Sequence, residues 1–155
     1  MLICVTGTPG TGKTTLAKRL ARELKMPYAD IGALVKKHKL HEGFDRKSGS
    51  YVVNTKKLLR FLVKNQYLST PHVLDSHLSH EIPAKDVHVC IVTTCDLKEL
   101  EKRLKKRKYP AKKIRENLDA EIFEVCLQEA KEKGHHVFSV DTTKGIKMKG
   151  LLRQL

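Results

Sequence analysis

Gly7-Thr8-Pro9-Gly10-Thr11-Gly12-Lys13-Thr14 matches the pattern G-x-x-x-x-G-K-[ST] in full, directly after the apolar run Leu2 to Val5 and directly before a helical repeat. That strand–loop–helix context decides the fold. Glycines at 7, 10 and 12 let the backbone wrap around a polyphosphate with its N–H groups turned inward, and the following helix presents the positive end of its dipole to the same anion. Lys13 then reaches the β and γ phosphates, the Thr14 hydroxyl coordinates Mg²⁺, and Thr15 is placed to donate to the α-phosphate.

Outward from the loop, helix and strand patterns alternate, which predicts an α/β fold with a parallel sheet and helices on both faces. Leu16, Ala17, Leu20, Ala21 and Leu24 recur on one helical face, and Pro27 leads into a short strand near Tyr28. A short helix is expected over residues 31–39, and a stronger one over residues 55–68 carrying Leu58, Leu59, Leu62 and Val63. The polar stretch between them, from His41 to Ser50, reads as a mobile flap. Val73 and Leu74 form a brief strand ending at Asp75, and Val87 to Thr93 is a buried strand. Asp96 with Glu99 is a capping box for the next helix, which runs to the KKRKYP segment and its Pro110 interruption. The spacing of Ile114, Leu118, Ile122 and Val125 predicts one resumed helix to about Lys133, stopped by Gly134. A last strand covers Val137 to Val140, and Asp141-Thr142-Thr143 is placed to cap a short terminal helix.

A chain of 155 residues fits one domain, residues 1–155, with a core that needs no metal or disulfide staple. Met1 leads directly into the first strand, leaving no room for a signal peptide, and no apolar run approaches the roughly 20 residues of a membrane span. A cytoplasmic protein with no membrane partner is expected. Cys4, Cys90, Cys95 and Cys126 form no C-x-x-C pair, and buried core thiols are the favoured reading. Lys and Arg number 31 against 17 acidic residues, a formal charge of +14. A nucleotide carries only about four negative charges, so most of the excess faces solvent, RNA or another polyanion. With aromatics at 5% and no Trp, any RNA contact is mostly to phosphate.

Two further groups carry chemistry. Asp75 closes an apolar run downstream of the loop, a placement suited to holding Mg²⁺ directly or through water. His77 follows two residues later, and in extended chain both side chains fall on one side, where an imidazole can orient water or an acceptor. A surface histidine is the plain alternative; zinc at His77-x-x-His80 lacks further ligands. Arg103, Arg107 and Arg115 flank the Pro110 interruption as candidate lid arginines for a transferring phosphoryl, against the alternative of a solvated basic face.

With GTPGTGKTT, LDSH and RLKKRKYPAKKIRENLDAEIF in order, the chain resembles the adenylate kinase isoenzyme six family, also called the coilin-interacting nuclear ATPase family, over nearly its whole length. The resemblance implies a P-loop nucleoside monophosphate kinase fold with a central five-stranded parallel sheet, an AMP-binding flap at about residues 29–52 and a short lid at about residues 106–116. It implies ATP and AMP as substrates, Mg²⁺ as cofactor, ATP hydrolysis as a second activity, and a role in maturing the small ribosomal subunit and its rRNA. Its partner is ribosomal protein eleven of that subunit, which is itself basic. By position, Gly10, Gly12, Lys13, Thr14 and Thr15 match the family's ATP loop, Asp75 and His77 its Asp-x-His, and Arg107 the opening of an R-G-Y signature in which Lys108 replaces glycine here. Lys13, Asp75, His77 and Arg107 are the implied catalytic set, with Thr14 and Asp75 on the metal. Gly43, Phe44 and Asp45 resemble the AMP flap, and Asp30 and Gly32 its entry, although Ala33 stands where an acidic residue is usual. Lys144 corresponds to a lysine near the nucleotide base.

Rival readings remain. A shikimate- or cytidylate-type kinase shares the loop and fold, but the Asp-x-His and short lid argue against it. A GTPase-like switch lacks its N-K-x-D motif, since Asn54-Thr55-Lys56-Lys57 has no aspartate. An assembly chaperone with vestigial kinase activity needs the same phosphate loop.

Overall fold

The opening apolar run becomes β1 (Leu2–Gly7), and all six of its residues are buried. A strand covered on both faces belongs at the centre of a parallel sheet. In the computed structural model, which describes residues 1–46 and 49–155, β1 pairs in parallel with β5 (His72–Asp75) on one side and β6 (Val89–Thr94) on the other. The edge strands β2 (Tyr28–Asp30) and β7 (Val137–Asp141) complete a five-stranded parallel sheet of order β2-β5-β1-β6-β7. Side chains alternate along β1, so Ile3 and Val5 face one layer and Leu2 and Cys4 the other.

Each face has its own helices. On one, α1 (Lys13–Glu23) and α7 (Met148–Leu152) pack Leu16, Ala17, Leu20 and Leu151 against Ile3, Val5 and Ile91. On the other, α2 (Ile31–Lys37), α3 (Thr55–Lys64) and α6 (Val125–Glu132) bring Ile31, Val35, Leu58, Leu62, Leu127 and Ala130 onto Cys4, Leu74 and Cys90. Leu16 and Leu20 are fully buried, each contributing about 1.5–3 kcal/mol relative to exposure. That packing fixes α1, and with it the loop at its N-terminus. A third cluster of Leu100, Leu104 and Ile114 joins α4 (Leu97–Lys106) to α5 (Ala111–Ile122), and Tyr109 packs on it at the corner. Ligands of open parallel sheets bind off the C-terminal strand ends. Val5 and Asp75 are register partners there, so the phosphate loop and Asp75 emerge side by side.

The structure departs from the sequence reading in four places. The polar stretch read as a flap without strands contains an antiparallel pair, β3 (His41–Asp45) and β4 (Ser50–Val53), in which Tyr51 packs edge-on to Phe44 and against His41. The portion of the flap at residues 47 and 48 lies outside the described residues. The helix expected to continue to residue 133 breaks at Glu124, whose φ of 50° ends α5 and starts α6. The break has a packing cause: α5 lies against α4, whereas Leu127 and Ala130 of α6 face the sheet. At α4, Asp96 accepts from the N–H groups of Lys98 and Glu99, but the reciprocal arm of the capping box is absent. Glu99 pairs instead with Arg103 at 2.9 Å, and the Asp96 N–H goes to the Thr143 hydroxyl. Asp141 likewise caps no helix; it accepts from the Thr143 N–H in a tight turn, and α7 begins only at Met148.

Candidate active site

The loop that links β1 to α1 is shaped by its own hydrogen bonds. Thr8 O accepts from the Thr11 hydroxyl at 2.7 Å and from Lys13 Nζ at 3.0 Å, so the lysine folds back over the loop. Gly7 is required by space, since a Cβ there would sit 2.5 Å from the Thr93 carbonyl oxygen. Gly12 is required by conformation, being the N-cap of α1 at φ 88°. Thr142, which sequence reading placed only in a cap, braces the loop from outside: its hydroxyl donates to Thr11 O at 2.6 Å while Arg103 donates to it at 3.1 Å.

Behind the loop, the Thr14 hydroxyl donates to Asp75 Oδ2 at 2.6 Å, and the Tyr28 hydroxyl reaches the same oxygen at 3.1 Å. Burial raises the Asp75 carboxyl above its ordinary value, against the lowering action of Thr14, Lys13 and Tyr28. Burial also lowers the Lys13 ammonium to about 8, with Asp75 opposing. Lys13 and Asp75 thus act on one another as opposite charges at the foot of the loop, each opposing the effect of burial on the other. Tyr28 carries no motif signal; only its place on the strand beside β5 reveals it.

His77 lies just past β5, not within it, with its carbonyl accepting from the Thr6 hydroxyl. Its ring opens into the cleft. Crowding by the cleft walls, then the Lys13 ammonium, push it down to about 4. Water reaching the exposed ring offsets part of that depression, and a neutral imidazole near pH 7 is the consequence that survives.

A cavity of about 550 Å³ runs from Gly10, Gly12, Lys13, Thr14 and Thr15 past His77 to the hairpin. Gly32 and Phe44 line it, together with Tyr51 and Lys36, whose ammonium lies 5.8 Å from the Tyr51 ring. Asp30 turns its carboxylate to the Ala33 N–H as the cap of α2, 3.0 Å away. Gly43 and Asp45 belong to β3 but do not line the cavity. On the opposite wall stand Arg107, Tyr109, Lys113 and Asn117. Arg107 also lines a second groove of about 620 Å³ with Gly12, Thr15 and Arg103, so it stands where the two spaces meet. Arg103 is committed to Glu99 and Thr142, and Arg115 to Asp119 at 3.0 Å. Lys144 lies on a separate groove beside Asp141 and Lys147.

Among the described residues no cluster of three His, Cys, Asp or Glu side chains is suited to a metal, which leaves zinc at His77 and His80 without support. His80 is buried and structural, with its Nδ1 2.9 Å from the Thr6 hydroxyl. Thr14 and Asp75 are hard oxygen donors side by side; they fit Mg²⁺, which takes one or two protein ligands and completes its shell with phosphates and water.

A central-strand phosphate loop, a buried carboxylate at the end of the adjacent strand and a shared cavity beyond them define a P-loop protein of the kinase type. The family model described as an AAA domain matches residues 3–124. The "Putative adenylate kinase" of Methanocaldococcus jannaschii is 41% identical over 143 residues, covering 92% of this chain and 77% of that one. The adenylate kinase isoenzyme 6 homolog of Schizosaccharomyces pombe is 38% identical over 130 residues, covering 84% and 74%. Shikimate kinase of Acinetobacter baumannii superposes with a TM-score of 0.66 over 99% of this chain and 90% of its own, at 15% identity, a likeness of fold alone. The chain belongs to the adenylate kinase isoenzyme 6 family.

Proposed function

We propose that this protein transfers the γ-phosphoryl group of Mg²⁺-bound ATP to AMP, yielding two ADP, and hydrolyses ATP when water takes the acceptor's place. The observation that carries this reading is the single cavity joining Lys13 and Thr14 to the Phe44–Tyr51 hairpin, which gives donor phosphates and acceptor one shared space. Lys13 and the loop N–H groups hold the β and γ phosphates. Thr14 and Asp75 would hold the metal, which would supply neutralisation of phosphate charge, and Tyr28 keeps the Asp75 carboxylate aimed. Arg107 meets the charge that spreads over the transferring oxygens. His77, neutral and open to the cleft, accepts a hydrogen bond from attacking water. In this reading residues 29–52 are the acceptor flap and residues 106–116 the lid. Incubation with ATP and Mg²⁺, with and without AMP, followed by chromatography of all nucleotides, tests it: ADP formed far faster with AMP supports the kinase, and ADP with phosphate at an unchanged rate leaves only an ATPase.

We also infer a role in assembling the small ribosomal subunit and maturing its rRNA in the cytoplasm, with ribosomal protein eleven as partner. Family membership supports it. So does the placement of the excess charge, since Lys98, Lys102, Lys105, Lys106, Lys108 and Lys112 are all exposed. Among the described residues no helix is long and apolar enough to cross a membrane. A second reading, an assembly factor whose ATP cycle serves shape change, is favoured by Ile122 and Phe123, 50% and 72% exposed at the end of α5.

A further inference from the structure

Lys113 stands in the first turn of α5, half-buried, on the cavity wall that faces the hairpin. No carboxylate lies within ion-pair distance of it among the described residues, whereas Arg103, Lys105, Arg115 and Lys133 each hold one. Its ammonium rests 4.6 Å from the Tyr109 ring centroid, and a Cβ on Gly49 of the hairpin would lie 3.7 Å from it. An aromatic face positions a cation without neutralising it. Asn117 anchors the backbone beneath, donating to Lys113 O at 2.7 Å. Lys13 and His77 line the same cavity as Lys113. An anion entering the cavity would give this ammonium the ion-pair partner that the described residues do not supply. Neighbouring Lys112 is exposed and does not line the cavity.

We propose that Lys113 binds the phosphate of the acceptor nucleotide, so that a phosphate-bearing acceptor, and not its dephosphorylated nucleoside, links α5 to the hairpin across the cavity. The proposal rests on the kinase reading. It makes Lys113 a residue for acceptor affinity and discrimination, distinct from the ATP-holding Lys13.

Titration calorimetry of ATP-free protein with AMP and with adenosine, alongside initial rates at varied AMP and varied ATP, tests it. In the wild type AMP is expected to bind at least tenfold more tightly than adenosine. Lys113→Ala should erase most of that preference and raise the KM for AMP about tenfold, with a much smaller change in the KM for ATP. Lys113→Arg, which keeps the charge, should retain most of the affinity and guards against a trivial folding defect. If the wild type phosphorylates AMP while Lys113→Ala keeps its KM for AMP and its preference over adenosine, the proposal is overturned and the kinase reading stands. Equal increases in both KM values would overturn it too, reducing Lys113 to a general field. A wild type that neither binds nor phosphorylates AMP overturns the kinase reading, and this proposal with it.

Discussion

Thr14 and Asp75, 61 residues apart in sequence, are joined by a 2.6 Å hydrogen bond from hydroxyl to carboxylate. The bond ties the first turn of α1 to the end of β5, and it is possible only because β1 and β5 are parallel neighbours with Val5 opposite Asp75. Two oxygens that would share a metal are thus brought together by the sheet itself.

In the proposed reaction Lys13 bridges the β and γ phosphates in both ground and transition states. Lys13→Ala is expected to lower AMP phosphorylation and ATP hydrolysis by about a hundredfold or more. Turnover near that of the wild type, with an unchanged circular dichroism spectrum, would remove the loop from the mechanism.

His77 is expected to separate the two proposed activities. AMP brings its own nucleophilic oxygen, whereas water must be oriented, so His77→Ala should depress hydrolysis several-fold more than transfer to AMP. Parallel loss of both, measured as rates with and without AMP, would assign the imidazole a positioning role shared by the two activities.

Arg107 is the exposed residue where the two grooves meet, and among the described residues it holds no carboxylate. Arg107→Ala should reduce kcat more than it raises the KM for ATP. The reverse pattern, weakened affinity at full maximal rate, confines the arginine to ground-state binding.

His80 sets an acid limit on stability. Burial lowers its pKa, against Glu129 and Glu81. Its Nδ1 lies 2.9 Å from the Thr6 hydroxyl and its Nε2 lies 2.9 Å from Glu129 Oε2. An unfolded histidine titrates near about 6.5, so below that pH the unfolded chain binds more protons than the native one. The His80 contribution is therefore complete above about pH 6.5 and is lost as pH falls through the depressed native pKa, with a slope of up to about 1.4 kcal/mol per pH unit. Urea unfolding from pH 5 to pH 8 should show a shallower slope in His80→Gln; identical slopes would mean that this ring does not titrate on unfolding.

The charge of +14 is expected to bind rRNA through exposed lysines of α4 and of the stretch from Lys131 to Lys149. Such binding releases counterions, and its log affinity should fall against log salt by about 0.7–0.9 per phosphate neutralised. Fluorescence anisotropy with a small-subunit rRNA fragment at low and near-physiological salt measures the slope. No binding at either salt returns the lysines to a solubility surface.

The fold was legible where local pattern and packing agree: Leu2 to Val5 reads as a buried strand because it is buried on both faces, and Leu16 to Leu20 reads as a helix stripe because one face meets the sheet. Motif spacing marked the loop, the end of an apolar run marked Asp75, and the family resemblance singled out Arg107 among the candidate lid arginines. The β3–β4 pair stayed hidden because its cross-strand partners alternate with exposed and polar residues. The break at Glu124 stayed hidden because the apolar spacing runs on through it; only the different surfaces that α5 and α6 cover force the turn. Tyr28 and Thr142 act through partners distant in sequence, Asp75 and Thr11, so no local pattern announces them.

The central claim is that the γ-phosphoryl group of ATP passes to AMP inside one cavity. Wild-type protein given Mg²⁺, AMP and ATP labelled in the γ-phosphate tests this most directly, with the position of the label followed over the first turnovers. The account predicts label in the β-phosphate of newly formed ADP and its loss in Lys13→Ala. Label appearing only as inorganic phosphate, whatever the AMP concentration, would contradict it.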